Sequence, residues 1–64
     1  MDEQVRLILM TKCEAIINWA EDQDWYNDNM YHDFLGLLER GENLTSNQIR
    51  VIESEHKKRV EDFY

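Results

Sequence analysis

The fold is decided by a stretch in which one helix ends and the next begins, residues 34–52, FLGLLERGENLTSNQIRVI. Within it, residues 45–48 (TSNQ) have the spacing of a capping box, in which the Thr45 side chain caps the amide of Gln48 and the Gln48 side chain reaches back to Thr45. Gly41 suits the left-handed residue that follows a helix. The stretch therefore predicts a helix that ends just before Gly41 and another that begins at Thr45.

Apolar residues at spacings of three and four extend both helices and predict a third one at the N-terminus. The predicted fold class is all-α, a small three-helix bundle with helices over about residues 2–20, 28–40 and 45–63, in a single domain that spans residues 1–64. The chain contains no proline, which favours helices throughout. The faces predicted to form the core are Val5, Leu9, Cys13, Ile16 and Ala20 in the first helix, Met30 or Tyr31, Phe34, Leu35, Leu37 and Leu38 in the second, and Ile49, Ile52, His56, Val60 and Phe63 in the third, with Leu44 and Ile49 as a hydrophobic staple.

The small size and acidic composition narrow the classes of function. The chain has 64 residues, of which 14 are acidic and 7 are Lys or Arg, so its formal net charge is −7. A core of this size supplies about 3–5 kcal/mol of stability and leaves little material for an enzyme cleft. We therefore expect a non-enzymatic protein without a cofactor, which acts through its outer surface and repels nucleic acid in general.

The first helix is apolar on more than one side. Leu7, Met10 and Ile17 widen its core-facing stripe beyond what two short helices can cover, so we expect a homodimer through this helix or a partner on its second face. Gly36, inside the second helix, indicates a place where another helix approaches closely.

The sequence also predicts a compartment. A single cysteine, Cys13, cannot form an internal disulfide, which is typical of cytoplasmic proteins. The chain has no apolar run of the roughly 18 residues that a membrane span needs. Asp2 and Glu3 precede the longest apolar run, where a secretory signal peptide would carry positive charge. We expect neither a signal peptide nor a membrane partner.

Acids and aromatic residues dominate the middle of the chain. No Lys or Arg occurs between Lys12 and Arg40, and Trp and Tyr are the residues most enriched at interface hot spots. One interpretation is that the aromatic residues Trp19, Trp25, Tyr26 and Tyr31 close one end of the bundle. The other is that this zone binds a basic protein surface, with carboxylates standing in for DNA phosphates. The predicted partner-binding residues are Glu21, Asp22, Asp24, Trp25, Tyr26, Asp28 and Asp33.

The sequence contains only incomplete motifs for metal binding and for nucleophilic catalysis. Glu53 and His56 have the spacing of one helical ligand pair, whereas a di-iron bundle needs two such pairs. Asp22 and Asp24 begin like a calcium loop, but Asn27 stands where that loop requires glycine. The i, i+4 spacing of Asp28 and His32 is common on solvent-exposed helix faces. Cys13 lies within an apolar stripe, where a free cysteine behaves as a small hydrophobic residue. We predict no metal site and no catalytic residue.

The bases near the C-terminal end suggest a competing hypothesis. Arg50, Lys57, Lys58 and Arg59 could contact phosphates and make the chain a nucleic-acid-binding accessory factor. The alternative is a solvated helix end whose bases pair with neighbouring acids of the same helix, namely Glu53, Glu55, Glu61 and Asp62.

Residues 31–60, in which Arg40-Gly41 is followed by Leu44-Thr45 and Gln48, resemble the helical hairpins of small bacteriophage proteins. This resemblance implies a phage-encoded early or accessory protein in the cytoplasm of a bacterial host cell. Small acidic proteins of that kind bind and inhibit host enzymes, including restriction, CRISPR and transcription machinery, and others serve phage DNA metabolism. The leading hypothesis is an inhibitor or modulator that mimics DNA and binds a nucleic-acid-processing protein, without direct contact to nucleic acid. The alternatives are the nucleic-acid-binding accessory factor and a structural assembly subunit.

Overall fold

A computed structural model describes residues 2–61, and this part of the chain is built from helices joined by short connections. No strand occurs within these residues. The all-α class and the three-helix arrangement predicted from the sequence are confirmed. The elements are α1 (Glu3–Ala20), α2 (Asn29–Glu39) and α3 (Ser46–His56), and α3 runs on into a π-helical turn, Lys57–Glu61.

α1 is the central helix of the bundle. It packs against both α2 and α3, whereas α2 and α3 make at most marginal contact with each other. The core lies along α1 and is built from Leu9, Cys13, Ile16, Tyr31, Phe34, Leu38, Leu44 and Ile52. An open groove therefore separates α2 from α3.

Side-chain hydrogen bonds define the first turn of α1. Asp2 is the N-cap residue, and its Oδ1 accepts a hydrogen bond of 2.9 Å from the amide of Gln4. Arg6 pairs with Glu3 and also donates from Nη1 to the carbonyl oxygen of Leu38, at 3.1 Å. The hydrogen bond from Arg6 lowers the pKa of Glu3. Arg6 thereby ties the start of α1 to the last turn of α2, where a cation suits the helix dipole.

The connection between α2 and α3 has the capping chemistry predicted from the sequence. Gly41 has φ +81°, and its amide donates to the carbonyl of Leu38 at 3.1 Å while the amide of Glu42 donates to that of Leu37 at 3.0 Å, which is a Schellman motif. At the start of α3 the amide of Gln48 donates to Thr45 Oγ1 at 3.2 Å, and the amide of Thr45 donates to Gln48 Oε1 at 2.8 Å. The capping box is confirmed.

Replacing Thr45 by Ala is expected to lower the free energy of unfolding by about 1 kcal/mol, because the amide of Gln48 loses its acceptor. In a domain of this size the melting midpoint should fall by roughly 4–8 °C. Thermal melting followed by far-UV circular dichroism measures the change. Ser46→Ala is the matched control, since Ser46 is exposed and lies outside the capping box. Equal shifts for the two variants would contradict the role of Thr45.

Several core assignments differ from the sequence prediction. Val5 is 42% exposed, because in the first turns of α1 it is Arg6 that contacts α2. Of the two alternatives in α2, Tyr31 is the core residue and Met30 is 43% exposed. No atom lies within 4 Å of a Cβ built on Gly36, so the close helix approach expected there is wrong.

The second face of α1 is only partly covered. Met10 and Ile17 pack against the core, whereas Leu7 and Ile8 are 49% and 53% exposed. The expected dimer or partner on this face stays a prediction.

The bounds of α1 and α2 lie within one residue of the predicted ones, whereas the end of α3 deviates. At the start of α2 the side chain of Asn27 accepts a hydrogen bond from the amide of Asn29, at 3.0 Å, and Asp28 makes no side-chain cap. The third helix was predicted to be continuous over residues 45–63, but its α-helical part ends at His56. Phe63 lies outside the described residues.

Candidate functional site

The predicted partner-binding residues lie mostly on the connection between α1 and α2, residues 21–28, which we call the acidic loop. Consecutive turns shape its first half: the amide of Gln23 donates to the carbonyl of Ala20 at 2.9 Å, and the amide of Tyr26 donates to that of Gln23 at 3.1 Å. The side chains of Glu21, Asp22 and Asp24 on this loop are exposed to solvent.

Trp25 is the most exposed large apolar side chain in the described residues, at 65% of its surface. Its indole Nε1 donates to Gln23 Oε1 at 3.2 Å, within the same loop. A tryptophan displayed among carboxylates has the character of an interface anchor, since aromatic residues carry much of the binding energy where a partner covers them.

The remaining predicted partner-binding residues, Tyr26, Asp28 and Asp33, differ in how far they are exposed to solvent. Tyr26 is half-buried and belongs to the wall of the bundle. Asp28 is half-buried and accepts from His32 Nε2 at 3.3 Å, while Asp33 is exposed on α2. The structure thus displays most of the predicted carboxylates together with Trp25, and it draws Tyr26 inward.

Aromatic rings form a connected cluster that includes two residues of the acidic loop, Trp25 and Tyr26. Trp19, Trp25 and Tyr26, which we call the aromatic corner, meet pairwise edge to face, with interplanar angles of 83–88° and centroid separations of 4.9–6.0 Å. Tyr31 stacks on Tyr26 at 6.3 Å, and Phe34 continues the cluster from Tyr31 at 5.9 Å. The cluster closes one end of the bundle, as the first interpretation of these residues predicts, and it leaves Trp25 exposed. The binding of a basic protein surface by this zone stays a prediction.

Arg59 reaches the aromatic corner from the π-helical turn. Its guanidinium carbon lies 5.4–5.8 Å from the centroids of Trp19, Trp25 and Tyr26, within cation–π range. Its Nε lies 3.5 Å from Glu55 Oε1. The i, i+4 spacing of Glu55 and Arg59 signalled this ion pair, but nothing in the sequence indicated the approach to the aromatic rings, because that contact is tertiary.

The phenols of the half-buried Tyr26 and the buried Tyr31 support the same region. Tyr26 Oη donates to Glu55 Oε1 at 2.7 Å and lies 3.1 Å from Tyr31 Oη. Burial, reinforced by the hydrogen bonds to Tyr31 and Glu55, raises the pKa of Tyr26 far above its ordinary value. Burial also raises the pKa of Tyr31. Both phenols therefore stay protonated across the neutral range, and Tyr26 remains the donor that orients Glu55.

The residues of the competing nucleic-acid hypothesis are divided between two places. Arg50 and Lys57 line a polar groove of about 520 Å³ together with Lys12 of α1, and Glu53 and Glu61 line the same groove. Lys58 is exposed, and Arg59 lies in the aromatic corner. The four bases do not form one continuous basic face.

The structure also places the residues that were considered as a nucleophile or as metal ligands. Cys13 is fully buried, and its burial raises the pKa of the thiol to about 11, so at neutral pH it is protonated and a poor nucleophile. His56 is a core-edge residue with its Nδ1 3.6 Å from Glu61 Oε1. Among residues 2–61 no group of three or more His, Cys, Asp or Glu side chains could hold a metal ion. Within the same residues, no helix combines the length and the apolar character needed to cross a membrane.

Comparison with known proteins identified no relative of this chain. No protein-family model matches the chain, and neither the curated proteins nor the solved structures include a significant match.

Proposed function

We propose that the chain is a binding protein whose acidic loop and exposed Trp25 bind a basic surface of a nucleic-acid-processing protein and inhibit or modulate it. The observation that carries the proposal is the display of Trp25, at 65% exposure, among the exposed carboxylates of Glu21, Asp22 and Asp24. An aromatic anchor ringed by charges of one sign is the composition expected of a surface that recognises a partner of the opposite charge.

Long-range electrostatics supports the same function. The net charge of −7 repels nucleic acid and attracts proteins whose working surface is built to hold a polyanion. Such a surface is found on enzymes that process DNA or RNA, and a DNA-mimicking inhibitor competes for it. The resemblance to small phage proteins suggests restriction, CRISPR and transcription enzymes as the first partners to test.

Charge reversal in the acidic loop tests this function. Replacing Asp22 and Asp24 by Lys changes the net charge from −7 to −3, since each substitution adds +2. We expect capture of a nucleic-acid-processing enzyme from bacterial lysate by the immobilised wild-type chain, displacement of that enzyme by duplex DNA, and binding weaker by at least about tenfold for the variant. Binding should also weaken with added salt, since screening acts over about 8 Å at physiological ionic strength.

The matched control places the same charge change elsewhere. Glu14 and Glu39 are exposed on α1 and α2, outside the acidic loop, and their replacement by Lys also gives a net charge of −3. We expect this variant to keep most of the binding. If both double variants lost the same amount of binding, the effect would come from net charge alone, which would contradict a localised site.

A second candidate function rests on the groove that Lys12, Arg50 and Lys57 line. A nucleic-acid-binding accessory factor would use these bases together with the exposed Lys58, so Lys57→Glu combined with Lys58→Glu would abolish retardation of DNA or RNA in a low-salt gel. We expect no retardation by the wild-type chain, because its net charge repels a polyanion and two acids lie in the groove itself. Retardation that these lysine substitutions abolish would favour the second function over the first.

A further inference from the structure

The aromatic corner has the features of a cation-binding cage. Trp19, Trp25 and Tyr26 present three mutually perpendicular rings, and the guanidinium carbon of Arg59 lies at nearly equal distances from them, 5.8, 5.4 and 5.8 Å from the ring centroids. Aromatic cages of this kind hold cations through the negative faces of the rings. The Glu55 carboxylate adds an opposite charge beside the guanidinium.

The cage is held in place by contacts that do not involve Arg59. Glu55 Oε1 accepts a hydrogen bond of 2.7 Å from Tyr26, compared with 3.5 Å to Arg59 Nε. Tyr26 in turn bonds to and stacks on Tyr31, which is 1% exposed in the core. Tyr26 and Glu55 therefore have contacts that are independent of Arg59, as a preformed site requires.

The cage also has an open side. Trp25, one of its walls, is 65% exposed and belongs to the acidic loop. Arg59 comes from the π-helical turn Lys57–Glu61, and its side chain is 30% exposed. The exposed loop carboxylates of Glu21, Asp22 and Asp24 are close to Trp25 in sequence, and their charge attracts cations to this part of the surface. An external cation could therefore reach the cage once Arg59 withdraws.

We propose that Trp19, Trp25, Tyr26 and Glu55 form a binding site for a guanidinium group, which Arg59 fills in the free protein and which an arginine side chain of a basic partner fills in the complex. The replacement of Arg59 by an arginine of the partner rests on the proposed function. Arginine is the chosen ligand because its planar guanidinium can contact aromatic rings and pair with a carboxylate at the same time, as Arg59 does, whereas an ammonium is more strongly hydrated.

The test is a titration of the full chain with a small guanidinium probe, N-acetyl-arginine methylamide. The chain has two tryptophans, Trp19 and Trp25, and both are cage walls, so tryptophan fluorescence reports on the cage directly. We expect Arg59→Ala to show a saturable change whose half-point lies at least about tenfold lower in probe concentration than for wild type, because the internal competitor is gone. Lys58→Ala is the control and should behave as wild type, since Lys58 is an exposed base next to Arg59.

Three further measurements make the result decisive. Arg59→Gln keeps part of the side-chain stem and replaces Arg59→Ala if circular dichroism shows that the alanine variant is unfolded. Glu55→Gln combined with the Arg59 substitution should weaken probe binding severalfold, because the carboxylate charge is lost. Methylammonium at equal ionic strength should produce a much smaller change. Equal responses of wild type and the Arg59 variants, a response that never saturates, or equal binding of methylammonium would overturn the proposal.

The cage and the proposed function can fail separately. The probe titration needs no partner, so its failure removes the cage and leaves the acidic-loop experiment unaffected. If charge reversal at Asp22 and Asp24 fails to weaken partner binding, the proposed function is lost while a positive titration still establishes the cage. With an identified partner, Arg59→Ala should bind severalfold more tightly than wild type, and weaker binding would contradict the exchange of arginine side chains.

Discussion

Replacing Ile52 by Ala is expected to unfold most of the chain at room temperature. Ile52 is fully buried, and it is the buried residue through which α3 joins the core along α1. Truncation of a buried isoleucine to alanine costs about 2–5 kcal/mol, and a domain of this size has only about 3–5 kcal/mol of stability in total. Far-UV circular dichroism in a urea titration should show a midpoint close to zero denaturant.

Ile8 supplies the matched control for this truncation. It is the same residue type in a helix, but its side chain is 53% exposed. Ile8→Ala should therefore change stability by less than about 0.5 kcal/mol, as is usual for surface positions. A large loss for Ile8→Ala would show that its face is covered in solution, which is the outcome that self-association through α1 predicts. Nearly equal losses for the two variants in a dilute monomer would contradict the position of α3.

Local chemistry explains why the helix boundaries around residue 41 could be predicted. The left-handed Gly41 and the reciprocal bonds of Thr45 and Gln48 involve residues only a few positions apart, so residue type and spacing determine them. The core stripe of α1 was predictable in the same way, from Leu9 onward. Its first turn was not, because the contact of Arg6 with Leu38 depends on where α2 ends in space.

The candidate site was predictable only in part for a related reason. An exposed acidic loop follows from composition and from the absence of bases between Lys12 and Arg40. The separation of Trp25 from Tyr26, one displayed and the other half-buried, depends on the fold of the whole bundle. Arg59 was grouped with the other bases because its neighbours in sequence are lysines. Only the packing of the π-helical turn on α1 brings Arg59 to the aromatic corner.

Raising the pH from 8 to 10 is expected to destabilise the fold through Cys13. Its thiol is fully buried, and burial raises its pKa from the ordinary 9.0 to about 11. A folded-state pKa above the unfolded value means that the folded chain holds its proton longer, so stability is complete below pH 9 and falls as the pH rises toward 11. Between pH 8 and 10 the loss amounts to about 1 kcal/mol. Urea titrations at the two pH values measure it.

Cys13→Ala separates this effect from other alkaline titrations. The variant is less stable at every pH, because it leaves a small cavity beside Ile16, but the part of the pH dependence that comes from the thiol disappears. The raised pKa values of Tyr26 and Tyr31 act in the same direction and begin to do so as the pH approaches 10, the ordinary pKa of tyrosine, so the difference in slope between wild type and the variant is what reports on Cys13. A wild-type chain whose stability does not change from pH 8 to 10, or a variant with the same slope as wild type over that interval, would show that Cys13 reaches solvent in the folded protein.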